Sequence, residues 1–220
     1  MQNPRLQGAL AMQIATYTAA YTRFGVSPRA VLWPTGELQK RRFRDLIPSE
    51  LPLTGSVLDV GCGLADLKNY LEGLGWIGKY VGIDITPALL EAVWVTQPGY
   101  DVRRHDMSAC RTQEEFEWSF ISGLFNAYVP HASDFMASVL RNAYASTRVA
   151  MSFNFISSEL GEDRPSMCYY EPRRVVQYCS TVLRPVHITV TKSDDGNVSV
   201  TVFRHRHKRP GEVVSSCGWL

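Results

Sequence analysis

Residues 57–67 read Val57-Leu58-Asp59-Val60-Gly61-Cys62-Gly63-Leu64-Ala65-Asp66-Leu67, and a second apolar run, Tyr80-Val81-Gly82-Ile83-Asp84-Ile85, follows. The first stretch has the pattern of a buried strand, a glycine turn and the start of a helix. The second is a strand that ends in an acid. A strand, a Gly-x-Gly turn and an acid about 20 residues further on form the nucleotide-binding fingerprint of a Rossmann-like sheet. The glycines let the chain turn sharply beside a ligand, and the acid accepts hydrogen bonds from a ribose diol.

The other residues of the turn bear on which nucleotide binds. A dinucleotide fingerprint continues to Gly-x-Gly-x-x-Gly, but here the last place is held by Asp66. A pyrophosphate at that helix start would meet a carboxylate, and two like charges about 4 Å apart cost about 4 kcal/mol at an effective dielectric of about 20. S-adenosylmethionine carries a sulfonium and an ammonium besides its ribose and adenine, and meets no such repulsion. Asp59, before the turn, is placed to receive the ammonium. Two plainer readings stand beside these. Asp66 can point to solvent as a first-turn helix acid, which the helix dipole favours, and Asp84 can simply cap the helix beginning near Thr86.

From about Thr54 to Phe203 the chain resembles the class I S-adenosylmethionine-dependent methyltransferases. The first motif is Val57–Gly63 and the second Tyr80–Ile85; His105-Asp106-Met107 and Phe120–Asn126 follow as third and fourth. The resemblance implies that Asp106 hydrogen-bonds the adenine amino group and that the fourth motif ends beneath the reacting methyl. The cofactor set is then Asp59, Gly61, Cys62, Gly63, Asp66, Asp84, Ile85, Asp106, Met107, Ser122 and Gly123, with Arg42 added for the cofactor carboxylate. Ala65 stands where the family often has a third glycine, and it is small enough for close helix–strand packing.

Strands are expected at 56–60, 79–83, 100–104, 116–121 and 147–153, and helices at 64–74, 86–96, 131–145 and 171–181. Such alternation gives a parallel sheet with helices on both faces. Val186–Thr191 and Val198–Phe203 alternate around Ser193–Asn197, which is a hairpin signature. The fold class is therefore α/β: a Rossmann-like, seven-stranded, mostly parallel sheet with a C-terminal antiparallel hairpin and an N-terminal helical cap. Residues 1–50 form the cap or lid, 51–210 the S-adenosylmethionine-binding domain and 211–220 a tail.

In the cap, Leu6, Leu10, Ile14, Tyr17, Tyr21 and Phe24 share one helix face. Ser27-Pro28 opens a short helical piece, and Thr35 caps a further helix that turns Leu38, Phe43, Leu46 and Ile47 inward. The segment Asn154–Tyr170 is long for a loop at this rim, where such loops shape substrate sites. It carries Glu159, Glu162, Asp163, Arg164, Met167, Tyr169 and Tyr170, a mixture that suits a polar, zwitterionic acceptor. The acceptor site is expected from Tyr17, Tyr21, Trp33, Asn126, Tyr169 and Tyr170. His131, Tyr128 and Glu159 are weak candidates for a general base, which is needed only if the nucleophile arrives protonated.

The chain has 220 residues, 45% of them hydrophobic and 20% charged, which is ordinary for one globular domain. Five cysteines without a Cys-x-x-Cys pair suggest a reducing, cytoplasmic setting without disulfides or zinc. No apolar stretch approaches a membrane span of about 20 residues. His205 and His207 would share a strand face, but no third ligand is evident, and no metal is expected. The formal net charge is +2, with basic runs at Lys40–Arg44 and Arg204–Arg209.

Several acceptor classes are disfavoured within the resemblance. Enzymes acting on DNA amino groups carry a Pro-Pro-aromatic fourth motif, where this chain has Ser122-Gly123-Leu124-Phe125. No Pro-Cys occurs, no glutamate lies in residues 122–131, and Ser122 replaces the strand-end acid of metal-dependent catechol-type enzymes. What remains is metal-independent methylation of a small polar molecule, an activity that suits secondary metabolism. The rivals are an RNA or protein methyltransferase using the basic runs, and a non-catalytic nucleotide binder. Nucleic acid is not the expected partner, and the oligomeric state is undetermined.

Overall fold

In the computed structural model, which describes residues 4–161 and 164–204, the strands begin at Ser56 and helices separate most of them. The strands are β1 (Ser56–Val60), β2 (Lys79–Asp84), β3 (Val102–Arg104), β4 (Phe116–Ile121), β5 (Thr147–Ile156), β6 (His187–Lys192) and β7 (Asn197–Phe203). The helices are α1 (Pro4–Phe24), α2 (Gly36–Leu46), α3 (Asp66–Gly73), α4 (Pro87–Thr96), α5 (Ala132–Ala145) and α6 (Pro172–Tyr178). All seven strands join one sheet in the order β3-β2-β1-β4-β5-β7-β6. Only β7 runs against its neighbours, pairing antiparallel with both β5 and β6. The expectations for Glu162, Asp163, His205, His207, the rest of the run to Arg209 and the tail at 211–220 lie outside the described residues.

The central strands are apolar on both faces because helices cover both. Successive side chains of a strand point to opposite faces. Leu58 and Val60 thus join Ile83, Ile121, Phe153 and the α5 residues Val139 and Leu140 in one core. Val57, Trp118 and Phe120 join Leu67 and Leu71 of α3 and Phe43 and Leu46 of α2 in the other. Where β5 and β7 bring hydroxyls inside, they pair with each other, as in Ser152 Oγ and Thr201 Oγ1 at 2.8 Å.

Four details differ from the sequence expectation. The third strand begins at Val102 rather than residue 100, because Tyr100 turns outward to donate to Asn69 Oδ1 at 2.6 Å. The fifth strand runs on to Ile156, since β7 pairs with it as far as Ile156↔Asn197. The last helix stops at Tyr178 and widens into a π-turn over Cys179–Leu183. In α1 the buried face is Leu6, Ala9, Gln13 and Ala20, rotated from the expected stripe because the small alanines allow closer approach than the tyrosines.

Caps follow local chemistry. Thr35 Oγ1 accepts from Leu38 N at 3.2 Å, as a helix N-cap should. Ser27 does not cap its short helix; its hydroxyl donates back to Phe24 O at 3.0 Å. Ala65 adopts φ 59°, the left-handed region that glycine favours, at the junction of the glycine turn and α3. This gives a conformational reason for a glycine at that place in the resembling family.

The central position of β5 makes a stability prediction. Phe153 is fully buried between aromatic neighbours Phe125 and Phe155. Phe153→Ala should cost about 3–5 kcal/mol, read as a lowered urea midpoint with an unchanged slope.

Candidate active site

A cavity of about 610 Å³ lies across the carboxyl ends of the parallel strands. Gly61, Gly63, Asp84, Asp106 and Ser122, which follow or end four successive strands, all line it. Helices α1 and α2 roof it with Leu10, Gln13, Tyr17, Leu38, Gln39 and Arg42. The roof is tied down by polar contacts: Gln13 Nε2 donates to Leu124 O at 3.2 Å and Gln39 Nε2 to Asp66 Oδ2 at 2.9 Å. Arg42 Nη2 donates to Asp195 Oδ2 in the β6–β7 turn at 2.5 Å.

The glycine turn is clamped from both sides. Gly61 N and Cys62 N donate to Ile83 O at 2.8 and 3.0 Å, and Gly63 N donates to Asp84 Oδ2 at 3.0 Å. Gly61 and Gly63 have φ +74° and +54°, and a Cβ on Gly63 would stand 2.7 Å from Val31 Cγ1. Asp84 also accepts from Thr86 N through Oδ1 at 2.8 Å. It therefore serves as a local cap and as a clamp on the turn. A carboxylate has about four lone-pair sites, so capacity remains toward the cavity. Burial raises its pKa, against the opposing hydrogen bonds from Thr86 and Gly63.

Asp106 is polarised differently. Its Oδ1 accepts from Ser108 N and Ser108 Oγ at 2.9 and 2.6 Å, while Oδ2 is buried without a partner. Buried polar atoms are normally hydrogen-bonded, and an orphan calls for a missing partner. Met107 and Ile85 complete this end, with the Met107 carbonyl already taken by Asn142 Nδ2 at 2.8 Å.

Asp66 lines the cavity and bonds to Gln39, so it is not a solvent-pointing first-turn acid. Burial raises its pKa, partly offset by Gln39. Asp59 is buried and accepts from the Tyr80 hydroxyl at 2.7 Å. Burial lifts it from 3.8 to about 7, against the Tyr80 hydrogen bond and aided by the charges of Asp84 and Asp66. Burial, then Asp84, also hold the Cys62 thiol and the Tyr17 hydroxyl protonated, so neither is a ready nucleophile or base.

Beyond β4, Gly123 N donates to Asn154 Oδ1 at 2.7 Å, and a Cβ on Gly123 would lie 2.9 Å from Trp33 Cζ2. The Ser122 hydroxyl and Asn126 Oδ1 are buried without partners. Trp33, Asn126 and Tyr169 line the cavity as expected of acceptor-site residues. Tyr21 does not; it packs beside Leu89 and Ala92 of α4. Tyr170 does not either, because its ring turns edge-on to Phe155 in the core. None of the three candidate bases reaches the cavity. His131 is exposed at the start of α5, Tyr128 is 49% exposed on the outer surface, and Glu159 pairs with Lys192 at 2.8 Å.

Residues missed by sequence reading also line the cavity: Gln13, Gln39 and, from the hairpin turn, Asp194, Asp195 and Asn197; Arg164, of the loop expected at this rim, lines it too. The three-residue step from Gln39 to Arg42 along α2 is a local signal that puts both on one face. The hairpin turn carries no such signal, since its approach to the cavity follows from sheet order alone. Among the described residues no group of three or more His, Cys, Asp or Glu side chains is arranged to hold a metal ion. Nor is any helix among them long and apolar enough to cross a membrane.

No protein-family profile matches the chain. A Mycobacterium tuberculosis protein named, by inference, as a methyltransferase is 27% identical over 130 residues, 56% of this chain and 78% of that protein. Among solved structures, a DhpI-SAM-HEP complex has a TM-score of 0.66 at 14% identity, covering 88% of this chain and 97% of the other. The glycopeptide N-methyltransferase MtfA complexed with S-adenosyl-L-methionine has a TM-score of 0.55 at 16% identity, covering 77% and 94%. A TehB-like methyltransferase of Corynebacterium glutamicum gives 0.57 at 13%, covering 87% and 98%. At these identities the structural likeness establishes the Rossmann-like methyltransferase fold.

The raised Asp59 has a consequence for stability. Folding makes Asp59 bind its proton more tightly, so between 3.8 and about 7 the folded chain holds more protons than the unfolded one. Stability of the ligand-free protein should therefore fall as pH rises through that window. Urea melts at pH 5 and pH 8 should show the fall, and Asp59→Asn should make it shallower.

Proposed function

We infer that this chain is an S-adenosylmethionine-dependent methyltransferase acting on a small polar molecule. The observation that carries the reading is the unpartnered, buried Asp106 Oδ2, on the same cavity as Asp84 and the glycine turn. An adenine amino group supplies the donor that Asp106 lacks, and a ribose diol uses the capacity that Asp84 keeps. The order of these groups along successive strand ends supports a nucleoside lying across them. The named relative and the fold shared with S-adenosylmethionine complexes support the same donor.

The methionine end would fall between the glycine turn and α2. Asp59 and Asp66 would face its ammonium, and an ammonium beside Asp59 would draw that group's pKa back down. Arg42 would serve its carboxylate, since Arg42 is buried yet lines the cavity and its Nη1 lacks a hydrogen-bond partner. When bound, S-adenosylmethionine supplies a methyl group already activated by its sulfonium. The protein then contributes alignment, which can be worth about 7–11 kcal/mol, and exclusion of water by the Trp33 and α1–α2 roof. Aromatic faces such as Trp33 and Tyr17 are also favourable neighbours for a sulfonium.

The nucleic-acid reading is weakened by pairing within the first basic run. Lys40 stands 3.8 Å from Glu37, Arg44 3.9 Å from Asp45, and Arg41 and Arg42 both face Asp195. Arg204 lies over the Tyr144 ring at 4.6 Å. Duplex DNA or structured RNA is expected to bind weakly at physiological salt. Sub-micromolar binding with a steep salt slope, lost on neutralising Arg41 and Arg44, would favour the nucleic-acid reading.

Calorimetry tests the donor. S-adenosylmethionine and S-adenosylhomocysteine should bind, and NAD should not; tight NAD binding with no heat from either methionine cofactor would end this reading. Asp84→Ala should weaken S-adenosylhomocysteine by roughly 10- to 150-fold, the worth of a hydrogen bond to a charged group. Because Asp84 also clamps Gly63, some loss of thermal stability should accompany it.

A further inference from the structure

We propose that the end of the cavity walled by the β6–β7 turn is the acceptor site and that it takes an amine, so that the methyl group goes to nitrogen. The proposal rests on the methyltransferase reading above and adds the chemical class of the acceptor.

The turn is a built part of the cavity wall. Ser157 N donates to Gly196 O at 2.8 Å, Ser193 N donates to Asn197 O at 2.9 Å, and Arg42 holds Asp195. Asn197 is only 3% exposed, lines the cavity, and its Oδ1 has no hydrogen-bond partner. Its amide nitrogen is turned the other way, toward Ser199 Oγ at 3.4 Å. Asn126 Oδ1 is buried and unpartnered in the same cavity, and Asp194, exposed in the turn, is among the lining residues. Besides Asp106 Oδ2, Arg42 Nη1 and the Ser122 hydroxyl, which can donate or accept, the unused hydrogen-bonding capacity in this cavity is the acceptor oxygens of Asn197, Asn126 and Asp194. Of the two guanidinium groups in the wall, Arg42 gives Nη2 to Asp195 and has its unpartnered Nη1 assigned above to the cofactor carboxylate, and Arg164 has an interaction of its own. A ligand that satisfies this end must bring N–H or O–H donors.

Reaction chemistry narrows that to nitrogen. A hydroxyl acceptor must lose its proton as it attacks, which calls for a base. Asp195 is a poor one: although burial opposes it, hydrogen bonding and charge from Arg42 hold its carboxyl below the usual range. An anionic oxygen needs no base, but six aspartates line the cavity against two arginines, and that balance disfavours an anion. An amine meets both conditions. Its ammonium form binds to the oxygens of Asp194, Asn197 and Asn126, and loss of one proton to water frees the nitrogen lone pair. That pair forms the new N–C bond as the S–C bond breaks, and the electrons of the S–C bond stay on sulfur. Positive charge passes from sulfur to nitrogen, beside the same oxygens, which stabilise it as it develops. Trp33, Leu160, Met167 and Tyr169 line the cavity too and leave room for an apolar, aromatic body on the amine.

The test uses the full chain saturated with S-adenosylhomocysteine and three probes of one shape: 2-phenylethylamine, 2-phenylethanol and 3-phenylpropanoate. Calorimetry should show the amine binding at least about tenfold more tightly than the other two, as expected for charge-assisted hydrogen bonds. Asp194→Asn, in an exposed turn, and Asn197→Leu should each remove most of that preference and leave S-adenosylhomocysteine affinity unchanged. With S-adenosylmethionine, mass spectrometry should find one methyl added to the amine. Equal or tighter binding of the alcohol or carboxylate, no binding of any probe, or an unaltered preference in Asp194→Asn would overturn the amine assignment while leaving the donor reading intact. Absence of S-adenosylhomocysteine binding would overturn both.

Discussion

The site depends on the clamp that fixes the glycine turn. The carbonyl of Ile83 receives two N–H groups from Gly61 and Cys62, and the carboxylate of Asp84 receives a third from Gly63. Two adjacent residues at the end of one strand therefore set the path of the chain leaving the next. Because Asp84 also holds Thr86 N, the same side chain orients the start of α4. These bonds tie the turn to two strands and to the start of α4. The left-handed backbone at Gly61, Gly63 and Ala65 follows from this tight path.

A second feature is the concentration of negative charge in a cavity roofed by α1 and α2. Asp59, Asp66 and Asp84 stand close enough that their charges reinforce the effect of burial on Asp59, and burial raises all three. An unliganded site of this kind is electrostatically costly, since buried charges without counterions are disfavoured. A cationic ligand relieves that cost, so the same arrangement that lowers stability toward neutral pH favours a donor carrying an ammonium and a sulfonium. Asp195 behaves in the opposite way because it has Arg42 and Arg41 beside it. The two ends of the cavity are thus electrostatically distinct.

The helical roof makes the cavity specific. Apolar burial of Phe43, Leu46 and Leu6 attaches α1 and α2 to the sheet, and the contacts from Gln13, Gln39 and Arg42 set their orientation. Each of these contacts ends on a different part of the rim: the loop after β4, the start of α3 and the β6–β7 turn. The roof therefore senses the position of all three. A side chain on any of them reaches the cavity through this geometry rather than through sequence proximity.

The order of strands and helices, the glycine turn, and the acids Asp59, Asp66, Asp84 and Asp106 were legible in the sequence, because each rests on local patterns: apolar runs, a Gly-x-Gly spacing and an acid at a strand end. Tyr21, Tyr170, His131, Tyr128 and Glu159, suggested by the sequence as site residues, stand off the cavity for a common reason. Their chemistry suits a site, but a rotation of α1 by one position, an edge-on packing or a surface ion pair removed them from it, and local patterns do not encode such details. Conversely, Asn197, Asp194 and Asp195 lie more than a hundred residues from the glycine turn, in what reads as an ordinary hairpin. They reach the cavity because β7 inserts between β5 and β6 and delivers its first residue opposite Ile156. The sequence by itself determined the fold class and the four acids on the rim of the cavity, which depend on contacts near in the chain. Only the tertiary structure decided that the β6–β7 turn walls the cavity, because that depends on strand order and on how two helices settle across the rim.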